Sequence, residues 1–87
     1  MPYLNETDRV RLEALKKSIE SAPIWSPGDL NYLFTLLIKR YLEHNGMGYG
    51  HCNDVIGALE CCKLELYRRK VAPYEDLKIK ENGDVYE

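Results

Sequence analysis

Phenylalanine and tryptophan occur once each in this chain of 87 residues, and cysteine only three times. Three is an odd number with no CxxC spacing, which excludes a disulfide scaffold and fits a reducing interior, so a cytoplasmic location is expected. No run approaches the ~18–20 consecutive apolar residues of a membrane span, so no membrane partner is expected. The opening "MPYLNETDRVRLEALKK" has no apolar core of the kind a secretory leader carries. A large excess of charge of one sign is missing too, with 12 basic residues against 14 acidic. The formal net charge of −2 argues against a duplex nucleic-acid partner, although it leaves room for a local basic pocket holding one small anion. No internal repeat or low-complexity tract is visible. At this length one domain is expected (residues 1–87), and folding buries only about 60–65% of the unfolded surface, which makes a thin core.

What is present is ordinary for a folded soluble chain: 45% apolar and 30% charged residues. A first helix is expected from about Glu6 to Ser21, capped by Asn5 or Thr7, with Leu12, Leu15 and Ile19 in one apolar stripe. Pro23 and Pro27 break the pattern in "SAPIWSPG". Helix two has a strong start: Ser26 as N-cap, Pro27 at the first helical position and Asp29 at the third. Leu30, Leu33, Phe34, Leu37, Ile38 and Tyr41 gather on one wide face, and Gly46 offers the stop. The glycine-rich "NGMGYGHCN" reads as a connection. Asn53 then caps a third helix from about Asp54 to Lys70, with Val55, Leu59, Cys62 and Leu66 as its core stripe. Gly57, Cys61, Leu64 and Arg68 repeat that spacing on a second side, a candidate subunit interface in so small a domain.

Pro73 is expected to end the helical region. "LKIKENGDVYE" then reads as a short β-hairpin turning at Asn82-Gly83. The expected fold class is mainly α: a small helical hairpin or three-helix unit with a short C-terminal β-hairpin, assembled as a homo-oligomer.

Few constellations suggest chemistry. His51, Cys52, Cys61 and Cys62 lack zinc-ligand spacing, and adjacent helical cysteines point about 100° apart, so no metal is expected. Cys52 beside His51 is not expected to act as a nucleophile–base pair, because such partners usually lie far apart in sequence. "NGMGYG" has neither the preceding strand nor the GK[ST] of a phosphate loop. Neither an enzyme nor a cofactor is expected.

The remaining signal is "YRRKVAPYED". Arg68, Arg69 and Lys70 suit the last turn of a helix, where cations meet the negative end of the dipole, and Glu65 stands three and four residues before the arginines. That explains the charges but not the flanking tyrosines. Tyr67 and Tyr74 suit stacking on a base while the arginines fork onto phosphate oxygens. Tyr32, Lys39 and Arg40 form a second cluster on helix two, and Asn31, Tyr32 and Lys39 are expected to complete a pocket. Seven tyrosines against one phenylalanine fit wet interfaces and ligand pockets.

"GDLNYLFTLLIKRYLE" followed by "NDVIGALECCKLELYRRKVAPYEDLKIKENGDVY" resembles a family of small uncharacterised bacteriophage proteins over residues 28–86, with "LELYRR", "APYED" and "ENGDVY" as its most specific segments. More loosely, the chain is similar to phage anti-CBASS and anti-Thoeris sponges, oligomers that bind cyclic oligonucleotides or cyclic ADP-ribose derivatives without cleaving them. The resemblance implies a nucleotide-type ligand, homo-oligomerisation and action in the cytoplasm of an infected bacterium. No binding residue carries over by motif. The competing expectation is a small adaptor or inhibitor that engages a host protein, with the arginines as rim charges.

Overall fold

The computed structural model describes residues 4–86, and every regular element among them is helical. In chain order these are α1 (Glu6–Arg11), α2 (Glu13–Glu20), α3 (Pro27–Asn45), α4 (Tyr49–Leu66), a π turn (Tyr67–Val71) and α5 (Ala72–Asn82). The chain divides into an N-terminal unit ending at Val55 and a C-terminal unit starting at Ile56, so the boundary falls inside α4.

In the N-terminal unit the Asn5 side chain accepts the Asp8 N–H at 2.9 Å, satisfying one of the free donors of the first turn. The expected first helix is interrupted only at Leu12, whose N–H returns to the carbonyls of Arg9 and Val10. Helix α3 opens on a complete capping box. Ser26 Oγ accepts the Asp29 N–H at 3.0 Å, while Asp29 Oδ2 accepts the N–H groups of Ser26 (3.1 Å) and Trp25 (2.9 Å). The helix stops at Gly46, at φ 101° and ψ 160°, where the glycine N–H still reaches the Leu42 carbonyl at 2.8 Å. An L side chain rarely adopts that backbone conformation.

Helix α4 begins earlier than expected. It starts at Tyr49 rather than near Asp54, which shortens the glycine-rich connection to residues 46–48. The Cys52 N–H donates to the Gly48 carbonyl at 3.0 Å, so Asn53 lies inside the helix and caps nothing.

The larger correction concerns the C-terminus. No β-hairpin exists among the described residues; Glu87, the last residue of the expected ribbon, lies outside them. Residues 77–82 belong to α5, and Pro73 does not end the helical region. The alternation in "LKIK" misleads because lysines and apolar residues suit a helix surface equally well, and Lys78 pairs with Glu81 one turn later at 3.1 Å. Asn82-Gly83 is a helix stop, not a hairpin turn: Gly83 has φ 92° and ψ 154°, and its N–H donates to the Ile79 carbonyl at 2.8 Å.

None of the described residues is buried. The stripes expected to form a core are open, including Leu30, Phe34, Leu37 and Tyr41 of α3 and Leu59, Cys62 and Leu66 of α4. Leu33, Ile38, Leu42 and Val55 are half-buried.

Candidate functional site

The first half of the basic–tyrosine segment, Tyr67–Val71, is the π turn, and the rest, with Tyr74, opens α5. Pro73 has no N–H, and its ring crowds the carbonyl four residues back, that of Arg69. A regular α-helix absorbs both defects only by kinking or breaking. Here the Ala72 N–H donates to Tyr67, five residues back, and the widened turn takes in one extra residue. Helical geometry resumes through the eleven residues of α5. Arg68, Arg69 and Lys70 therefore lie within a longer helical run. Their expected place in a last turn is corrected, and with it the explanation of their charge by a helix terminus.

Glu65 organises the two arginines. Its Oε2 accepts from Arg68 Nη2 at 2.6 Å and its Oε1 from Arg69 Nη1 at 3.2 Å, so one carboxylate holds two guanidiniums side by side. The Glu65 side chain is only 23% exposed, whereas those of Arg68 and Arg69 are 71% and 61% exposed. Lys70 is exposed as well. Tyr67 Oη donates to Glu75 Oε1 at 2.7 Å across the π turn. That bond, followed by the repulsion a phenolate would feel from the same carboxylate, raises the Tyr67 pKa above its ordinary value. Tyr74 carries the Lys78 ammonium 5.6 Å from its ring centroid, a cation–π contact. Residues 65–76 thus hold three cations and three acids, Glu65, Glu75 and Asp76.

The expected site residues fall into two groups. Tyr67, Arg68, Arg69, Lys70 and Tyr74 belong to the C-terminal unit, while Asn31, Tyr32 and Lys39 belong to α3 in the N-terminal unit. The Asn31 backbone carbonyl accepts the Thr35 hydroxyl at 3.0 Å. Tyr32 lines a shallow recess with Pro23, Ile24, Asp29 and Leu33, and Lys39 is exposed.

Two contacts escaped the sequence reading. One is the Tyr67–Glu75 bond, eight residues apart, a spacing that makes sense only once a π turn has been inserted. The other is at His51, whose Nδ1 lies 3.1 Å from the Gly46 carbonyl and whose ring meets Tyr41 edge-on at 6.3 Å. This fixes the connection between α3 and α4. The signal for the first was Pro73 inside an uninterrupted run of helix-forming residues. Among the described residues no group of three or more His, Cys, Asp or Glu side chains is placed to hold a metal ion.

A family model described as "Domain of unknown function (DUF6899)" matches residues 1–85, and the chain belongs to that family. No curated protein and no solved structure matches it. Among the described residues no helix is long and apolar enough to cross a membrane.

Proposed function

We propose that this chain is a non-catalytic binding protein of bacteriophage origin. It sequesters a nucleotide-derived immune signal, of the cyclic oligonucleotide or cyclic ADP-ribose type, inside an infected bacterium. The observation that carries this reading is the π turn, which presents Arg68, Arg69 and Lys70 consecutively between two tyrosines. Single π turns inside α-helices recur at functional sites. Guanidiniums ordered beforehand by Glu65 lose little freedom when they meet phosphate oxygens, and the ring faces of Tyr67 and Tyr74 suit a base. The acids nearby set the selectivity. A ligand with several phosphates competes with Glu65 for the arginines, whereas a monovalent anion gains little. Sequestration needs neither a general base nor a metal.

Calorimetric titration of the purified chain with cyclic di- and trinucleotides and cyclic ADP-ribose isomers tests this. The expected outcome is binding by one of them that weakens with salt and is lost in the Arg68→Ala, Lys70→Ala double variant. No heat with any, at protein concentrations well above micromolar, rejects the reading.

A second reading, a small adaptor or inhibitor of a host protein, is favoured by the open apolar side chains of the C-terminal unit, such as Ile56 and Leu64. Native mass spectrometry separates the two. A co-purified small mass supports sequestration, and a chain that captures one defined host protein without it supports the adaptor.

A further inference from the structure

On the reading that the π turn takes a cyclic nucleotide signal, we infer that this signal is one closed through a diphosphate linkage, as in the cyclic ADP-ribose class. Glu65 selects it against ligands whose phosphates stand apart. Consecutive helical residues point well apart around the axis, so Arg68 and Arg69 would diverge on their own. Glu65, one turn earlier, draws them together: its Oε2 accepts from Arg68 Nη2 at 2.6 Å and its Oε1 from Arg69 Nη1 at 3.2 Å. One carboxylate thus occupies the place between two guanidiniums where a phosphate group would sit, since the planar forks accept either anion. All three side chains belong to the C-terminal unit.

That place already holds one negative charge, which a ligand has to displace. A single phosphodiester carries one charge, so its exchange for Glu65 is even, and it leaves a carboxylate without its partners. The two phosphates of a cyclic dinucleotide are separated by sugars, so only one of them reaches a pair of guanidiniums held on one carboxylate. A diphosphate linkage brings two charges, on neighbouring phosphorus atoms, within the span of the same two forks. Arg68, Arg69 and Lys70 against Glu65 leave a surplus of two positive charges, which such a linkage matches. A phosphomonoester also approaches two charges, but a cyclic signal has no terminal phosphate. Glu65 is therefore a selectivity residue: it orders the forks before binding and sets the charge a ligand has to exceed.

Calorimetric titration of the full chain with cyclic ADP-ribose isomers, cyclic di-AMP and cyclic AMP tests both parts. The wild-type chain is expected to bind one cyclic ADP-ribose isomer about tenfold or more tighter than cyclic di-AMP or cyclic AMP. Glu65→Gln keeps the shape and removes the charge. It is expected to bind cyclic AMP more tightly and to narrow that preference several-fold, with helix content unchanged by circular dichroism. Arg69→Lys keeps the charge and loses the fork, and is expected to weaken the cyclic ADP-ribose isomer several-fold while cyclic AMP binds as to the wild type. Cyclic di-AMP bound as tightly or more tightly, and lost in the Arg68→Ala, Lys70→Ala double variant, overturns the diphosphate assignment and leaves sequestration standing. An unchanged preference in Glu65→Gln overturns the role of Glu65. No heat with any cyclic nucleotide or cyclic ADP-ribose isomer rejects sequestration itself, and the diphosphate assignment with it.

Discussion

Pro27 and Pro73 both stand in the first turn of a helix, but they make different demands on the backbone. Before Pro27 the chain is extended, at φ −129° and ψ 159° for Ser26, so the donor that proline lacks would have had no intrahelical partner anyway. Before Pro73 the chain is already helical, with Val71 and Ala72 both in the right-handed region. There the missing donor and the crowded carbonyl interrupt an existing ladder, and the π turn re-routes it through the Ala72–Tyr67 bond. A proline therefore ends a helix only where the neighbouring residues cannot pass the hydrogen bond along. The consequence for the candidate site is direct. At Pro27 the result is a quiet start stabilised by Asp29, whereas at Pro73 it is a widened turn that carries three cations.

The sharpest way to break this comparison is to add a proline where no re-routing is available. Leu77→Pro removes a donor from the interior of α5, and such a substitution costs about 3 kcal/mol or more. Loss of helical circular dichroism is expected, with faster amide exchange over residues 72–82 and unchanged protection in α3. If helix content stays the same, residues 77–82 are not helical and the ribbon reading returns.

The two glycine stops sharpen the comparison at the next level of effect. Gly46 and Gly83 share nearly the same backbone conformation, with φ 101° and 92°, and each returns its N–H four residues back. Alanine at either position is strained by about 1–3 kcal/mol, since this region is essentially reserved for glycine. Gly46→Ala and Gly83→Ala are expected to lower thermal stability by similar amounts. A Gly83→Ala variant with unchanged stability would show that the helix stop at Gly83 contributes nothing.

These positions also show what the residues disclosed in advance. Ser26, Pro27 and Asp29 act within four residues, and Gly46 acts on one carbonyl, so the start and stop of α3 were legible from local chemistry. The C-terminal segment was not, because Asn-Gly suits a hairpin turn and a helix stop equally well. The arbiter was the helix upstream of Pro73, whose ability to widen is not written in any short pattern. For the candidate site, the pairing of Glu65 with Arg68 and Arg69 was legible as a one-turn spacing. The Glu75 bond to Tyr67 was not, since two α-turns and an extra residue separate them. The apolar stripes were legible as stripes. Whether they meet inside one chain depends on packing, and no described residue of α3 or α4 is buried.

The smallest expected effects are in pH, and they place one titration limb in each unit. The backbone N–H groups of Trp25 and then Ser26, with the Ser26 hydroxyl as a lesser donor, hold the Asp29 carboxyl below its ordinary range against a modest cost of burial. A depressed folded pKa means stability present above the unfolded value, about 3.9, and lost as pH falls through the folded one. Tyr67 runs the other way. Glu75 accepts its hydroxyl hydrogen and repels the phenolate, so the folded pKa is raised. Its contribution is complete below about pH 10 and is lost as pH climbs through the folded value. Nuclear magnetic resonance titration should therefore show the capping box of α3 releasing on the acid side and the π turn loosening on the alkaline side. Asp29→Asn should remove only the first limb and Tyr67→Phe only the second. If Tyr67 ionises together with the other tyrosines, Glu75 does not hold it in solution, and the turn presenting Arg68 to Lys70 lacks the strap that its geometry implies.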